Sequence, residues 1–171
     1  MARNIPTLAT AITLASLALA SPAGAQSVDP LGKSGDWESF SYQENGKSVC
    51  FMASAPQKAT GDYTKRGDTY IMVTHRPAEK AMGVVSFEAG YAFKGGSEAQ
   101  VSVGSANWKL FVSGSNAFAY DDKADRALVA AMKAGSTLVV KGTSSRGTLT
   151  TDTYSLSGFT KAYNTISAKC R

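Results

Sequence analysis

The sequence predicts a mainly β domain, an antiparallel β-sandwich or barrel-like fold carrying two short helices, the second at the C-terminus. Two observations carry that expectation. Stretches rich in Val, Ile, Thr, Tyr and Phe alternate apolar and polar residues between glycine-rich breaks along most of the chain. Such period-two alternation marks a strand with one buried face. Only two segments place apolar residues at helical spacing instead. No internal repeat of solenoid length is present, so the strands must pack on one another rather than stack as units.

The chain opens with a segment outside that domain. Arg3 precedes an apolar run from Leu8 to Ala20, followed by Pro22 and the small-residue site Ala23-Gly24-Ala25. This is the order of a secretory signal peptide. The run is shorter than the roughly 20 residues a membrane helix needs, which disfavours the alternative of an anchor. Residues 1–25 are therefore expected to be a signal peptide cleaved after Ala25. That leaves 26–171 as one domain, large enough to bury its own core. No later segment is apolar for long enough to span a bilayer, so no transmembrane span is expected after cleavage.

The strands follow in order. "DWESFSY" sets Trp37, Ser39 and Ser41 against Glu38, Phe40 and Tyr42. "SVCFMAS" is an apolar run around Cys50, and "DTYIMVTHR" sets Ile71, Val73 and His75 against Tyr70, Met72 and Thr74. "GVVSFEAGY" and "AQVSVG" come next, and "NWKLFVS" reads as a return strand after the turn at Gly104-Ser105-Ala106. "STLVVKG" and the hydroxyl-rich "GTLTTDTYSLS" flank the turn "TSSRG". Thr fits a pleated surface through its branched Cβ, so the hydroxyl density of that last strand needs no catalytic explanation. Trp37 and Trp108 are expected in the core. Tyr91, Phe93, Phe118 and Tyr120 end in turns, where they fill the core or rim a surface.

Two segments are helical. "DDKADRALVAAMKAGS" offers Asp121 or Asp122 as N-cap, a face of Leu128, Val129 and Met132, and Gly135 as a left-handed stop. "SGFTKAYNTISAKC" spaces Phe159, Ala162, Tyr163 and Ile166 as one stripe, with Ser157 as N-cap and Cys170 just past the end.

Charge and cysteines narrow the function classes. The formal net charge is +5, with the charges interspersed. No basic stripe interleaved with aromatics appears, so no nucleic acid is expected as a partner. Cys50 and Cys170 are the two cysteines. Export permits a disulfide, and with two cysteines the pairing is unambiguous if it forms. Metal ligation and a redox pair are the alternatives. The first wants more Cys or His at short spacing, and the second usually reads C-x-x-C.

Catalytic signatures are sparse. His75 is the one histidine, and the sequence lacks the G-x-S-x-G elbow and S-x-x-K. Asp121, Asp122 and Asp125 suit a helix start without a metal. EF-hand, phosphate-loop and dinucleotide patterns are missing, so no cofactor or metal is expected. The candidate binding residues are His75, Arg76 and Glu79 in "HRPAEK" and Arg146 in "SSRGT". Both arginines stand where a strand yields to a loop, and a guanidinium grips carboxylates or phosphates bidentately. Local salt bridges are the competing role for each.

"RGDTYIMVTHRPAEK", "VSFEAGYAFKGGS", "ALVAAMKAGSTLVVKGTSSRGTLTTDTYSLSGFTKA" and the terminal Cys together resemble the invasion-associated locus B family of exported bacterial proteins. The resemblance runs from Trp37 to Cys170 and is most specific from Met132 to Ala162. It implies a periplasmic or cell-surface protein with a signal peptide and a β-rich domain, and a role in host-cell invasion. It carries over no catalytic residue. Many members have further cysteines, and the resemblance leaves Cys50 with Cys170 as the bridge. The function expected is a non-enzymatic binding or interaction module of the cell envelope, with an envelope or host protein as partner. An envelope hydrolase acting through His75 and a structural or stress protein of the envelope are the alternatives.

Overall fold

Eleven strands and two helices form in the computed structural model, which describes residues 27–171. The expected signal peptide lies outside the described residues. The strands are β1 (Asp29–Ser34), β2 (Trp37–Glu44), β3 (Lys47–Ser54), β4 (Lys58–Gly61), β5 (Tyr70–Arg76), β6 (Ala81–Glu88), β7 (Glu98–Val103), β8 (Ala106–Ser113), β9 (Asn116–Phe118), β10 (Thr137–Thr143) and β11 (Leu149–Ser155). The helices are α1 (Asp122–Ala134) and α2 (Phe159–Lys169). All the strand pairs are antiparallel, in one sheet ordered β1-β2-β3-β5-β6-β9-β8-β7-β10-β11-β4. The mainly β expectation, with a second helix at the C-terminus, holds.

The sheet curls like a barrel but does not close: β1 and β4 are its edges. The curl still brings its two ends together. The Trp37 indole donates to the Ser155 carbonyl at 3.0 Å, and the Asp36 amide to the Ser157 carbonyl at 3.1 Å. Those two bonds join the start of β2 to the end of β11. β1, β4 and β9 have no clear alternation and escape a sequence reading. β9, three residues long, is nevertheless the link between β6 and β8.

Which face of each strand is buried follows from what packs on it. On β2 the inner row is Trp37, Ser39 and Ser41, while Phe40 and Tyr42 lie outside. α2 covers this inner row with Phe159, Ala162 and Ile166, and the small serines let the helix approach. Trp37 meets Phe159 edge to face at 4.9 Å, a geometry worth about 0.5–1.5 kcal/mol beyond area burial. Outside, Phe40 stacks on the cross-strand Phe51 at 5.0 Å. Trp108, expected in the core, is only half-buried; it points inward opposite Val101, near the hairpin end where the core thins.

Asp121 caps α1, its side chain accepting the Ala124 amide at 2.8 Å. β9 reaches only as far as Ser86 along β6. The Val85 amide beyond it is taken by Asp125 Oδ1 at 2.8 Å, so the first turn of α1 completes the sheet edge. Two expected caps are corrected. Gly135 ends α1 in extended conformation (φ −90°, ψ 170°), not left-handed, because its role is steric: a Cβ there would strike Val103. Ser157 does not cap α2; Gly158 does, at φ +86°, where a Cβ would collide with the Ser34 carbonyl. The Cys50–Cys170 disulfide, Cα–Cα 5.9 Å, clamps the end of α2 to β3 across 120 residues.

Candidate functional site

Three loops converge beside the β4 edge: residues 62–67 after β4, 90–92 after β6, and the β10–β11 turn from Ser144. They enclose an open cleft of about 670 Å³. Its floor is Arg66. The guanidinium donates from Nη1 and Nη2 to the two oxygens of Asp152, both at 2.6 Å, and from Nε to the Ala89 carbonyl at 2.6 Å. Asp152 belongs to the inner row of β11 with Thr150 and Tyr154. A carboxylate in that row demands a buried cationic partner, because unpaired it would lose its hydration without return.

Two tyrosines flank the floor. The Arg66 guanidinium lies 5.0 Å from the Tyr91 ring centroid and 5.7 Å from that of Tyr63. Tyr91 is fixed further by a 2.7 Å hydroxyl bond to Thr150. The Gly67 amide donates to the Gly90 carbonyl at 2.9 Å. Gly90 sits at φ +70°, and a Cβ there would collide with the Gly67 carbonyl. Only glycine permits this approach of the two loops. The β10–β11 turn is equally fixed: Ser144 Oγ accepts the Thr148 amide at 3.1 Å, and the Gly147 amide donates to the Ser144 carbonyl at 2.8 Å. Arg146 stands exposed at its tip.

Charge in the cleft is divided between floor and rim. Burial works against the Arg66 cation, but the bonds to Asp152 and its charge prevail and hold the guanidinium's pKa above its ordinary value. Burial also raises the Tyr91 hydroxyl, so it stays neutral. On the rim, Lys65 and Arg146 have no ion-pair partner among the described residues, and neither has Asp62.

The other expected site residues go elsewhere. His75 is fully buried opposite Cys50, its ring edge-on to Tyr163 at 5.0 Å. Its Nδ1 accepts the Gly83 amide at 2.8 Å, and its Nε2 lies 2.9 Å from Ser167 Oγ. Because Nδ1 accepts, the neutral ring carries its proton on Nε2 and donates to the serine. A general base needs the reverse: a free Nε2 lone pair facing the hydroxyl. Burial, with the charge of Lys133 adding to it, lowers the His75 pKa and keeps the ring neutral. Arg76 pairs with Glu44 and donates to the Tyr42 hydroxyl at 3.2 Å, with Glu79 at 3.9 Å. It lines a separate cleft of about 420 Å³ with Phe51 and Met72 on the outer face. Arg146 alone joins the Arg66 cleft. Of the turn aromatics, Tyr91 lines that cleft and Phe93 is buried, while Tyr120 is exposed and bonds Glu98 at 2.9 Å. Sequence reasoning missed Arg66, Asp152 and Tyr63. The available signal was Asp152, an acid sharing parity with Tyr154 and Leu156. Among the described residues no group of three or more His, Cys, Asp or Glu could hold a metal, and no helix is long and apolar enough to cross a membrane.

Fold and site together define a disulfide-clamped β domain: one open, curled antiparallel sheet, two covering helices and a surface cleft with a cationic rim. The chain belongs to the invasion associated locus B (IalB) family, whose model matches residues 37–167. The crystal structure of invasion associated protein B from Bartonella henselae is similar, with a TM-score of 0.58 over 81% of this chain and 95% of that one. The two are 22% identical, so the likeness concerns the fold. No curated protein matches the chain significantly.

Proposed function

We propose that this is an exported cell-envelope protein, periplasmic or on the surface, that acts as a non-enzymatic binding module through the Arg66 cleft. The observation that carries the reading is the cleft's construction: two exposed cations, without ion-pair partners among the described residues, stand over a buried, hydrogen-bonded floor. A preformed site with a few convergent polar groups is the usual form of a binding pocket. Export is supported by the leader-like residues 1–25 and by a disulfide, which persists in oxidising compartments. Family membership supports a role in host-cell invasion, the family and the Bartonella henselae protein both being named as invasion associated. The partner is an envelope or host-surface component.

The test is chemical crosslinking of the tagged protein in its native envelope, followed by affinity capture. Wild type is compared with Lys65→Glu/Arg146→Glu. Both changes are exposed and reverse the rim charge without touching the floor. Capture of one dominant component by wild type and its loss in the double variant is expected. Equal capture by both would remove the cleft from the function.

A further inference from the structure

We infer that the cleft takes a carboxylate-bearing saccharide, its acid group on Lys65 and Arg146 and its hydroxyls on the loop side chains. The inference rests on the reading of the cleft as the binding site. Arg66 is not the anion's partner. Asp152 occupies both its terminal nitrogens, Ala89 takes Nε, and Thr69 lies 3.4 Å from Nη2. The floor is thus an internally neutral platform that positions Tyr63 and Tyr91. An incoming anion meets the two rim cations instead, each with its charge unspent.

Asp62 on the same rim decides the class. Rim charge sums to one net positive, which matches one carboxylate per ligand unit. Inorganic phosphate gives Asp62 little to accept from, and a sugar phosphate, mostly a dianion near pH 7, carries more negative charge than the rim offsets. A sugar acid offers both chemistries: a carboxylate for Lys65 and Arg146, and hydroxyl donors for Asp62. The Ser145 hydroxyl on the turn can give and accept hydrogen bonds, as sugar hydroxyls require, while the Thr148 hydroxyl, which donates to the Asp62 carbonyl at 3.4 Å, can still accept. Tyr63, 37% exposed with the Arg66 guanidinium 5.7 Å from its ring centroid, is the aromatic side chain at hand for the C–H groups of a pyranose. The volume of about 670 Å³ leaves room for more than one such ring.

The experiment is nuclear magnetic resonance titration of the oxidised, ¹⁵N-labelled exported protein with three probes: a trisaccharide of galacturonic acid, the galactose trisaccharide of the same linkage, and galactose 6-phosphate. The uronate is expected to shift the amides of Gly67, Tyr91, Ser145 and Arg146, and to bind at least about tenfold more tightly than the neutral sugar. Lys65→Ala and Arg146→Ala should each erase most of that preference. Equal binding of acid and neutral trisaccharides at those amides would overturn the acid assignment and leave the cleft as a sugar site. Tighter binding of the phosphate than of the uronate would overturn the carboxylate. Silence of the cleft amides to all three would overturn the saccharide, while the crosslinking comparison judges the cleft itself.

Discussion

Arg66 and Asp152 lie 86 residues apart and meet in a two-pronged ion pair, both N–O distances 2.6 Å, each side chain 5% exposed. The pair ties the loop after β4 to the inner row of β11 and holds the floor of the cleft. Such a pair forgoes two hydration shells, so its net worth is small even though breaking it is costly.

Asp152→Ala strands the Arg66 cation in the interior. We expect a loss of about 3–5 kcal/mol in chemical denaturation. The apolar replacement Arg66→Met/Asp152→Leu should recover most of it, since it leaves no buried charge. A single variant that denatures like wild type would mean that water already reaches the guanidinium.

Cys50→Ser opens the bridge between β3 and the end of α2. Its 120-residue separation places it among long loops, for which chain entropy gives roughly 5 kcal/mol as an upper figure. The melting temperature should fall sharply in non-reducing buffer, and dithiothreitol should reproduce the fall in wild type. No change in either would show that α2 docks without the clamp.

His75 titrates below its ordinary value because the ring is buried. The unfolded chain, with an ordinary histidine near pH 6.5, then binds more protons than the folded one between the two pKa values. Stability from this residue is therefore full above about pH 6.5 and declines as pH falls toward the folded pKa. As the one histidine in the chain, it gives a single imidazole signal. An NMR titration should find its midpoint below 6.5, with the proton on Nε2 of the neutral ring. A midpoint at or above 6.5 would contradict the burial argument.

Gly158 tests the joint between the sheet's two ends. Gly158→Ala must hold a side chain at φ +86° against the Ser34 carbonyl. The strained backbone alone costs about 1–3 kcal/mol, and the collision adds to it. Thermal unfolding should show the loss. Gly46→Ala, at φ +73° with open space around it, should cost only the backbone part. Equal losses would mean that the joint yields.

Much of the fold is legible along the chain. Alternation separates the rows of β2, β5 and β11 correctly, Leu128, Val129 and Met132 form the buried face of α1, and the two cysteines leave one bridge. The candidate site is less legible. Arg146 is found from its turn. Arg66 sits in a loop without periodicity, and its partner is 86 residues away.

What the sequence by itself determined is, apart from a cysteine count that leaves one possible pair, local: period-two rows, helical stripes and an N-cap at Asp121 or Asp122. Each depends on neighbours within a few residues, where chain geometry decides which side chains share a face. The tertiary structure alone decided that β9 joins β6 to β8, that α2 covers the Trp37 row of β2, and that Arg66 meets Asp152. Periodicity marks two faces but does not say which one a helix will cover. Strand pairing and buried ion pairs draw their free energy from contacts distant in sequence, so they exist only once the sheet has curled.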